Sequence, residues 1–363
     1  MEVIKNSNAK LFIKLDNIKD NWKHLKYLSK NKIIAASVKA DSYGLGSKTI
    51  CNTLIKAGCD NFFVADTKEA INLRKYFKKI NIFLLNGIQD YKTAEIIIKN
   101  KIFIVLNNKY DLLIVKQYYK NNKKRIHCAI HFDTGMNRLG FGIEDMNLVV
   151  KSINNFLEPQ LIMSHLSGSE NKLSSSNKIQ ISRFKEIRSI LSKKYSFKYS
   201  LANSNGIFLG KNFHFDLIRS GGLIYGLNLR NKKKKIKNVV SLKAKIIQIR
   251  FLEQGSPIGY GSKYITKKRS MIATVAIGYA DGLPRNYRGH FFFKGRKVNI
   301  CGNISMDLTC IDITGIKNVR VNNWVEIFGD NMPIEKFAYM SSTITYDILS
   351  SLGNRIERIY LQT

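Results

Sequence analysis

The sequence predicts an α/β protein in which an N-terminal (β/α)8 TIM barrel is followed by a mostly β C-terminal domain. In the first two thirds of the chain, short apolar runs rich in β-branched residues alternate with stretches of helical periodicity, a pattern typical of parallel strands joined by helices. After Gly226 the apolar pattern becomes alternating and aromatic. We expect the barrel over residues 10–229 and the β-rich domain over residues 230–363, completed by residues 1–9.

Eight apolar runs are the predicted barrel strands, because strands buried on both faces of a parallel sheet are continuously apolar. They are residues 33–39, 62–66, 82–85, 102–106, 127–133, 161–165, 200–202 and 215–219. Before the first run, Ile18, Trp22, Leu25 and Leu28 share one face of a predicted helix. Polar residues follow several runs at their C-terminal ends, where barrels of this type build their active sites.

The last third of the chain supplies the strands of the second domain. Residues 242–249, 271–277, 291–301, 310–313 and 325–328 have the alternation and aromatic content of antiparallel strands, with a turn at Lys294-Gly295. A basic stretch, Arg230 followed by lysines 232–235, is interpreted as a linker or solvated loop.

Composition limits the classes of function. The five cysteines form no CxxC pair and no metal-ligand spacing, which indicates a reducing, cytoplasmic compartment and no metal site. No apolar run reaches membrane-spanning length, so we expect no membrane partner. The net charge of +34 comes from basic residues spread along the whole chain rather than gathered in one stripe. We therefore expect no nucleic-acid partner, although a clustered basic face would favour one.

Lys39 is the first candidate catalytic residue. It closes a buried apolar strand, where an amine is costly to desolvate unless it is paired or used covalently. Apolar surroundings lower the pKa of a lysine, which suits an amine that forms an imine or abstracts a proton. Gly44 and Gly46 permit a tight turn and close approach of the backbone to a ligand. These features alone also fit a strand-end lysine whose charge simply reaches solvent.

Nine ordered motifs resemble those of the bacterial alanine racemases, which are pyridoxal phosphate (PLP) enzymes of fold type III. The motifs are VKADSYGLG, HFDTGMNRLGFG, SHLSGSE, LANSNG, IRSGGLIYGL, GYGSKY, IGYADGLPR, GNISMD and TYDILSSLGNRIERIY. The resemblance implies a PLP-dependent isomerase that interconverts L- and D-alanine and supplies D-alanine for peptidoglycan. It also implies a barrel followed by a β domain, and a homodimer whose active sites are shared across the interface.

The resemblance assigns the catalytic roles. Lys39 corresponds to the lysine that holds PLP covalently and acts as the base on the D side of the substrate. Tyr260 corresponds to the second base, on the L side, reaching in from the partner subunit. Two bases are needed because inversion removes the Cα proton on one face and returns it on the other. His165 and Arg219 correspond to a hydrogen-bonded relay from that tyrosine to the pyridine nitrogen, and an arginine cannot accept the proton there.

The resemblance also implies the binding residues. Those expected at the phosphate are Tyr43, Ser204, Tyr346 and the backbone amides around Gly221 and Gly222. Those expected at the substrate carboxylate are Arg138 and the backbone amide of Met306. Arg285 corresponds to the residue that orients the catalytic tyrosine, and Tyr279 to a residue that lines the entrance. Asp133 and Asp281 are interpreted as structural, holding turns at Gly135 and Gly282.

One position departs from the family pattern. Many members carry a carbamylated lysine beside the carboxylate-binding arginine, whereas this sequence has His131. A carbamate is negatively charged, but a histidine is neutral or positive. We therefore expect Arg138 to be held differently in this chain.

Two further hypotheses stay open. A PLP racemase of the same fold that acts on serine or another small amino acid differs only in the side-chain pocket, which the sequence does not define. A degenerate, inactive racemase would have lost chemistry-bearing residues, but Lys39, Tyr260, Arg219, His165 and Tyr346 are all present. A decarboxylase is disfavoured by Arg219, because that chemistry requires a protonated pyridine ring.

Overall fold

The computed structural model describes residues 7–227 and 235–362. They divide into two compact units, which are described separately below. The barrel unit comprises Lys19–Ser42 and Ser47–Ile224, and the sheet unit comprises the described residues within Met1–Ile18, Tyr43–Gly46 and Tyr225–Thr363. The predicted boundary between residues 229 and 230, and the linker stretch of Arg230 and lysines 232–234, lie outside the described residues.

Strands and helices are numbered in chain order. As far as residue 220 they are β1 (Ala9–Lys14), α1 (Leu15–Leu28), β2 (Ile33–Ser37), α2 (Lys39–Gly44), α3 (Ser47–Lys56), β3 (Asn61–Val64), α4 (Thr67–Tyr76), β4 (Asn81–Leu84), α5 (Tyr91–Lys99), β5 (Phe103–Leu106), α6 (Lys109–Asn122), β6 (Ile126–His131), α7 (Met146–Asn155), β7 (Leu157–Met163), α8 (Ser175–Leu191), β8 (Lys198–Ser200) and β9 (Leu217–Ser220). After residue 239 they are β10 (Val240–Leu252), β11 (Pro257–Ile258), β12 (Tyr264–Ile265), β13 (Ser270–Val275), β14 (His290–Phe293), β15 (Arg296–Asn299), β16 (Thr309–Asp312), β17 (Trp324–Phe328), α9 (Ile334–Met340), α10 (Thr345–Ser350) and β18 (Glu357–Leu361).

The barrel unit is built on one eight-stranded parallel sheet with the order β8-β7-β6-β5-β4-β3-β2-β9. Its two outer strands meet, because the N–H of Arg219 donates to the carbonyl of Ala202 and the N–H of Asp216 to that of Tyr199, both at 3.0 Å. The sheet is therefore closed, and each predicted run overlaps one of its strands, although the run 200–202 shares only Ser200 with β8. The fold class predicted from the sequence, a (β/α)8 barrel followed by a mostly β part, is confirmed.

The barrel interior is filled by side chains from seven of its strands. The buried cluster consists of Ala35, Phe63, Phe83, Val105, Ala129, Leu161, Met163 and Leu217. Phe63 and Phe83 stack with their ring centroids 4.6 Å apart, and Phe83 stacks on Phe103 at 4.8 Å. Because the interior is packed, ligands are restricted to the mouth at the carboxyl ends of the strands.

The sheet unit contains a second eight-stranded sheet, along the path β15-β14-β17-β10-β1-β18, with β13 pairing beside β10 and β16 pairing with β13. Each strand predicted after residue 239 is present, and the predicted turn at Lys294-Gly295 joins β14 to β15. Strand β1 was not predicted from the sequence; it pairs antiparallel with β10 and parallel with β18. Its alternating burial is typical of a strand with one covered face.

No helix in the part of the chain that the structure describes is long and apolar enough to span a bilayer.

Candidate active site

The carboxyl ends of the barrel strands bring five predicted site residues together. Lys39 follows β2, Arg138 follows β6 and His165 follows β7, while His131 ends β6 and Arg219 lies in β9. These groups are close enough to perturb one another electrostatically, since Arg138 lowers the pKa of Lys39, and His131, Lys39 and both arginines lower that of His165. A mouth lined by so many basic groups suits an anionic ligand.

The segment that carries Lys39 has an uncommon backbone. Residues Ala40, Asp41, Ser42 and Tyr43 have φ between 50° and 60°, and Gly44 has φ 79°, so α2 is a left-handed turn. For residues other than glycine this conformation costs roughly 1–2 kcal/mol each. Such strain persists only where surrounding contacts stabilise it, and it is typical of functional sites.

Contacts at both ends hold this turn. At its start, the Ala40 N–H donates to Glu69 Oε1 at 2.6 Å. After its end, the Ser47 N–H donates to Asp41 Oδ1 at 2.7 Å. Within the sheet unit, a Cβ at Gly44 would lie 2.5 Å from the Leu349 carbonyl oxygen, so glycine is required there by space as well as by φ.

The amine of Lys39 has a lowered pKa. The side chain reaches solvent at the barrel mouth, but desolvation by the surrounding protein lowers its pKa and the positive charge of Arg138 lowers it further. The negative charge of Glu69 acts in the opposite direction. A lower pKa raises the fraction of neutral amine at a given pH, which is the form able to accept a proton.

Arg219 is fixed by its two Nη atoms. One Nη donates to both the carbonyl and the hydroxyl of Ser200, and the other donates to the Ser164 carbonyl and to His165 Nδ1. Its Nε–H has no acceptor among the described residues. Arg219 is only 6% exposed, and burial lowers its pKa to about 9, which leaves the guanidinium charged at neutral pH. Arg219 thus keeps one N–H for a ligand.

The tautomer of His165 follows from this contact. Arg219 can only donate, so His165 Nδ1 accepts, at 3.2 Å, and the ring proton sits on Nε2. Burial, then Arg219 and Arg138, lower the pKa of His165 well below its usual value, so the ring is neutral. Its Nε2–H is a neutral donor oriented by a buried arginine.

His131 has the opposite tautomer to His165, because its Nδ1 donates a hydrogen bond. Asn107 donates its amide hydrogens to the Leu85 and Val105 carbonyls, both at 2.9 Å, so its Oδ1 must accept from His131 Nδ1 at 2.8 Å. Burial, then Arg219, lower the pKa of His131 to about 3. His131 is therefore neutral with an unprotonated Nε2, and it carries no charge that could replace a carbamate.

The low pKa of His131 predicts a pH dependence of stability. An unfolded histidine binds a proton below about pH 6.5, whereas folded His131 binds one only near pH 3. The free energy of unfolding should therefore be independent of this group above pH 6.5 and fall as the pH drops, by up to about 1.4 kcal/mol per pH unit. Urea unfolding between pH 4 and pH 8 measures the slope, to which His165 contributes with the same sign.

The variant His131→Asn isolates the contribution of the His131 ring to the pH dependence of the free energy of unfolding. We expect it to have a shallower acid slope than the wild type, whatever its absolute stability. His127→Asn is the matched control, since His127 lies exposed on the same strand. An unchanged slope in His131→Asn would contradict the neutral assignment.

Arg138 is available to bind a ligand. It is exposed after a turn in which Asp133 Oδ1 accepts the N–H groups of Gly135 and Met136 at 2.8 and 2.9 Å, the structural role predicted for Asp133. In the described residues Arg138 has neither a hydrogen-bond acceptor nor an ion-pair partner. An exposed guanidinium without a partner is suited to a carboxylate.

The predicted phosphate amides differ from expectation at Gly221. Its N–H donates to Ser204 Oγ at 2.9 Å, and Ser204 Oγ lies 3.1 Å from Ser220 Oγ. Within the described residues the Gly222 N–H has no acceptor, so Gly222 and whichever of the two hydroxyls does not donate to the other are the donors that this part of the barrel offers to an anion. In the sheet unit, Tyr43 and Tyr346 lie side by side, with ring centroids 5.7 Å apart.

Four other predicted residues gather in the sheet unit. Tyr260, Tyr279, Arg285 and Met306 line one open cavity of about 370 Å³. Tyr260 is 76% exposed and Met306 is 53% exposed. The guanidinium of Arg285 lies 5.9 Å from the centroid of the Tyr279 ring.

Hydrogen bonds fix the wall of this cavity. The N–H groups of Tyr279 and Ala280 donate to the carbonyls of Ser305 and Met306, at 3.1 and 2.9 Å. Arg355 bridges Asp281 and Asp307 through contacts of 2.9 and 2.7 Å. Asp281 also accepts the Gly278 N–H at 2.9 Å, so it holds the turn before Gly282.

Two residues that support the site, Asn107 and Glu69, were not predicted from the sequence. Asn107 follows β5 directly, so the rule that polar residues matter at strand ends could have found it. Glu69 could not be found in that way, because a glutamate in the first turn of a helix is common for reasons of helix stability alone.

The chain matches two family models over most of its length. Residues 13–229 match the model described as "Alanine racemase, N-terminal domain". Residues 239–360 match the model described as "Alanine racemase, C-terminal domain".

Relatives and solved structures of the same family are similar over more than nine tenths of the chain. An alanine racemase of Rickettsia bellii is 42% identical over 341 residues, 92% of this chain and 82% of the relative, and one of Rickettsia canadensis is 40% identical over 96% and 98%. The crystal structure of alanine racemase from Bartonella henselae with covalently bound pyridoxal phosphate is 36% identical, with a TM-score of 0.92 over 98% of this chain and 100% of that one.

Proposed function

The chain belongs to the alanine racemase family, and on that premise we propose how its own residues carry the reaction. It is a PLP-dependent isomerase that interconverts L- and D-alanine. The observation that carries the proposal is that the barrel mouth holds both a lysine of lowered pKa and a buried arginine that keeps one N–H unused.

The residues present fit PLP. The Gly222 amide and the Ser204 hydroxyl are suited to its phosphate, and Tyr43 and Tyr346 stay predicted phosphate ligands. The unused Nε–H of Arg219 is suited to donate to an acceptor. A pyridine nitrogen can accept a hydrogen bond only while it is unprotonated. When bound, PLP supplies an electron sink that acidifies the Cα–H of the amino acid.

Lys39 is the residue that would hold PLP covalently and, once released, move the proton on the D face. Its lowered pKa supports a role as base. Arg138 would bind the substrate carboxylate, supported by its exposure and the absence of an acceptor within the described residues. The Met306 amide is proposed as the second carboxylate contact.

We propose that Tyr260 of the partner subunit moves the proton on the L face. The exposure of Tyr260 and Met306 on one open cavity supports a homodimer that completes each site with this surface. A neutral His165 with its proton on Nε2 would donate a hydrogen bond to the phenolic oxygen of the partner's Tyr260 and orient it. Tyr279 is proposed to line the entrance, and Arg285 to orient Tyr260.

We also propose a cytoplasmic location, supported by five cysteines that are all free thiols. There the D-alanine would supply peptidoglycan synthesis.

The test of function is D-alanine formation from L-alanine by the purified protein with PLP added, measured by chiral chromatography. Rapid formation of D-alanine supports the proposal. L-serine is assayed in parallel, and faster inversion of serine than of alanine would overturn the substrate assignment. Covalent PLP without inversion of either would indicate an inactive site.

A further inference from the structure

We infer that Glu69 is a positioning residue for Lys39, because its carboxylate holds the backbone from which the catalytic lysine projects. The inference rests on the proposed function in one respect, the role of Lys39 as cofactor lysine and base. Glu69 itself belongs to none of the motifs that resemble the family's.

The carboxylate joins two strand ends. Glu69 Oε1 accepts the N–H of Ala40 at 2.6 Å, and Oε2 accepts the N–H of Ala65 at 2.7 Å. Ala40 is the residue after Lys39, and Ala65 is the residue after β3. Since β2 and β3 are parallel neighbours, Glu69 ties the start of the left-handed turn to the next strand of the barrel.

The position of Glu69 is set by its own helix. Asp66, in extended backbone at φ −125°, is the N-cap of α4, and its carboxylate accepts the N–H of Glu69 at 2.9 Å. The first turn of α4 therefore presents a fixed carboxylate to the Ala40 amide. Hydrogen bonds from two amides to one ionised acceptor are short and directional, which is what a strained turn needs to keep one geometry.

Glu69 also has an electrostatic effect on the amine. Burial and the charge of Arg138 lower the pKa of Lys39, and the charge of Glu69 raises it. His165, which feels the charge of Lys39, is neutral. Removing the carboxylate should therefore disturb the geometry and shift the titration of the amine to lower pH, whereas a residue with only a structural role would change stability alone.

The experiment uses the full-length enzyme with PLP and the variant Glu69→Gln. An amide keeps one acceptor but turns an NH2 toward the other backbone N–H, and it removes the charge. We expect kcat to fall roughly tenfold in both directions, as for the loss of one charge-assisted hydrogen bond. The acid limb of the pH–rate profile should move to lower pH.

A readout independent of turnover is the pH dependence of Lys39 acetylation by acetic anhydride in the full chain freed of PLP, located by mass spectrometry. Its midpoint should move to lower pH in Glu69→Gln. In Glu69→Asp, which keeps the charge but is one methylene shorter, kcat should fall while the midpoint stays near that of the wild type.

Asp90→Ala is the matched control. Asp90 lies at the start of α5, where its carboxylate accepts the Thr93 N–H at 2.8 Å, so its replacement removes a carboxylate that holds a backbone amide at a barrel helix without touching Ala40. We expect wild-type kcat and an unchanged midpoint. Wild-type kcat and midpoint in Glu69→Gln would overturn the inference, whereas wild-type enzyme without covalent PLP at Lys39 would overturn the proposed function instead.

Discussion

Replacing Lys39 with alanine should abolish racemisation in both directions and remove the covalent attachment of PLP. The two losses have one cause, because the same amine would hold the cofactor and move the proton on the D face. Loss of a positioned general base alone costs on the order of 10²–10⁴-fold in rate. Loss of cofactor attachment adds to this, so the variant should have no activity above background.

The measurement combines chiral chromatography with mass spectrometry after borohydride reduction, which fixes covalent PLP to its lysine. Lys48→Ala is the matched control, since Lys48 lies a short distance along the same segment and its ammonium packs over the Tyr76 ring instead. We expect this control to retain activity and PLP at Lys39.

An added primary amine sharpens the test. If Lys39 acts through its amine, methylamine should restore part of the activity of Lys39→Ala without restoring covalent PLP. Full activity in Lys39→Ala, or reduced PLP found on another lysine of the wild type, would contradict the assignment.

The fold was predictable because its determinants are local. The barrel strands are continuous apolar runs, and parallel pairing places the residues after them at one end, so Lys39, His165 and Arg219 could be grouped from the sequence. Strand β1 was missed because its partners, β10 and β18, lie hundreds of residues away in the chain. The alternation along β1 does not show which distant strands it pairs with.

The supporting contacts of the site were not predictable for a related reason. That Asn107 fixes the tautomer of His131 depends on which carbonyls its amide reaches, and these belong to Leu85, which follows β4, and to Val105 in β5. That Glu69 holds Ala40 depends on the entry angle of α4. Sequence motifs name the residues that perform chemistry, whereas the residues that orient them are chosen by three-dimensional packing.

Replacing Tyr260 with phenylalanine should lower kcat/KM by roughly 10²–10⁴-fold, the usual contribution of a positioned acid or base. The loss in kcat/KM must be equal in the two directions, because L- and D-alanine have the same free energy in water. The asymmetry of the two bases therefore has to be sought in proton exchange rather than in the rate of inversion.

In D2O the variant should still exchange the Cα proton of D-alanine, because Lys39 remains on that face, and should return deuterated D-alanine. It should exchange the Cα proton of L-alanine far more slowly, since the phenolic oxygen is missing from the other face. Proton NMR of each enantiomer with time gives both exchange rates. Tyr339→Phe is the matched control, because Tyr339 is 83% exposed on the same unit and outside the cavity that Tyr260 lines.

The direction of the asymmetry assigns the faces. Exchange lost for L-alanine but kept for D-alanine places Tyr260 on the L face and Lys39 on the D face. The reverse pattern would exchange the two roles, and equal loss for both enantiomers would mean that Tyr260 does not act as a base on one face. Tyr260 is exposed in the single chain, so separating the proposed dimer should remove it from the wild-type site. The difference in L-alanine exchange between the wild type and Tyr260→Phe should therefore become smaller at enzyme concentrations low enough to separate the dimer.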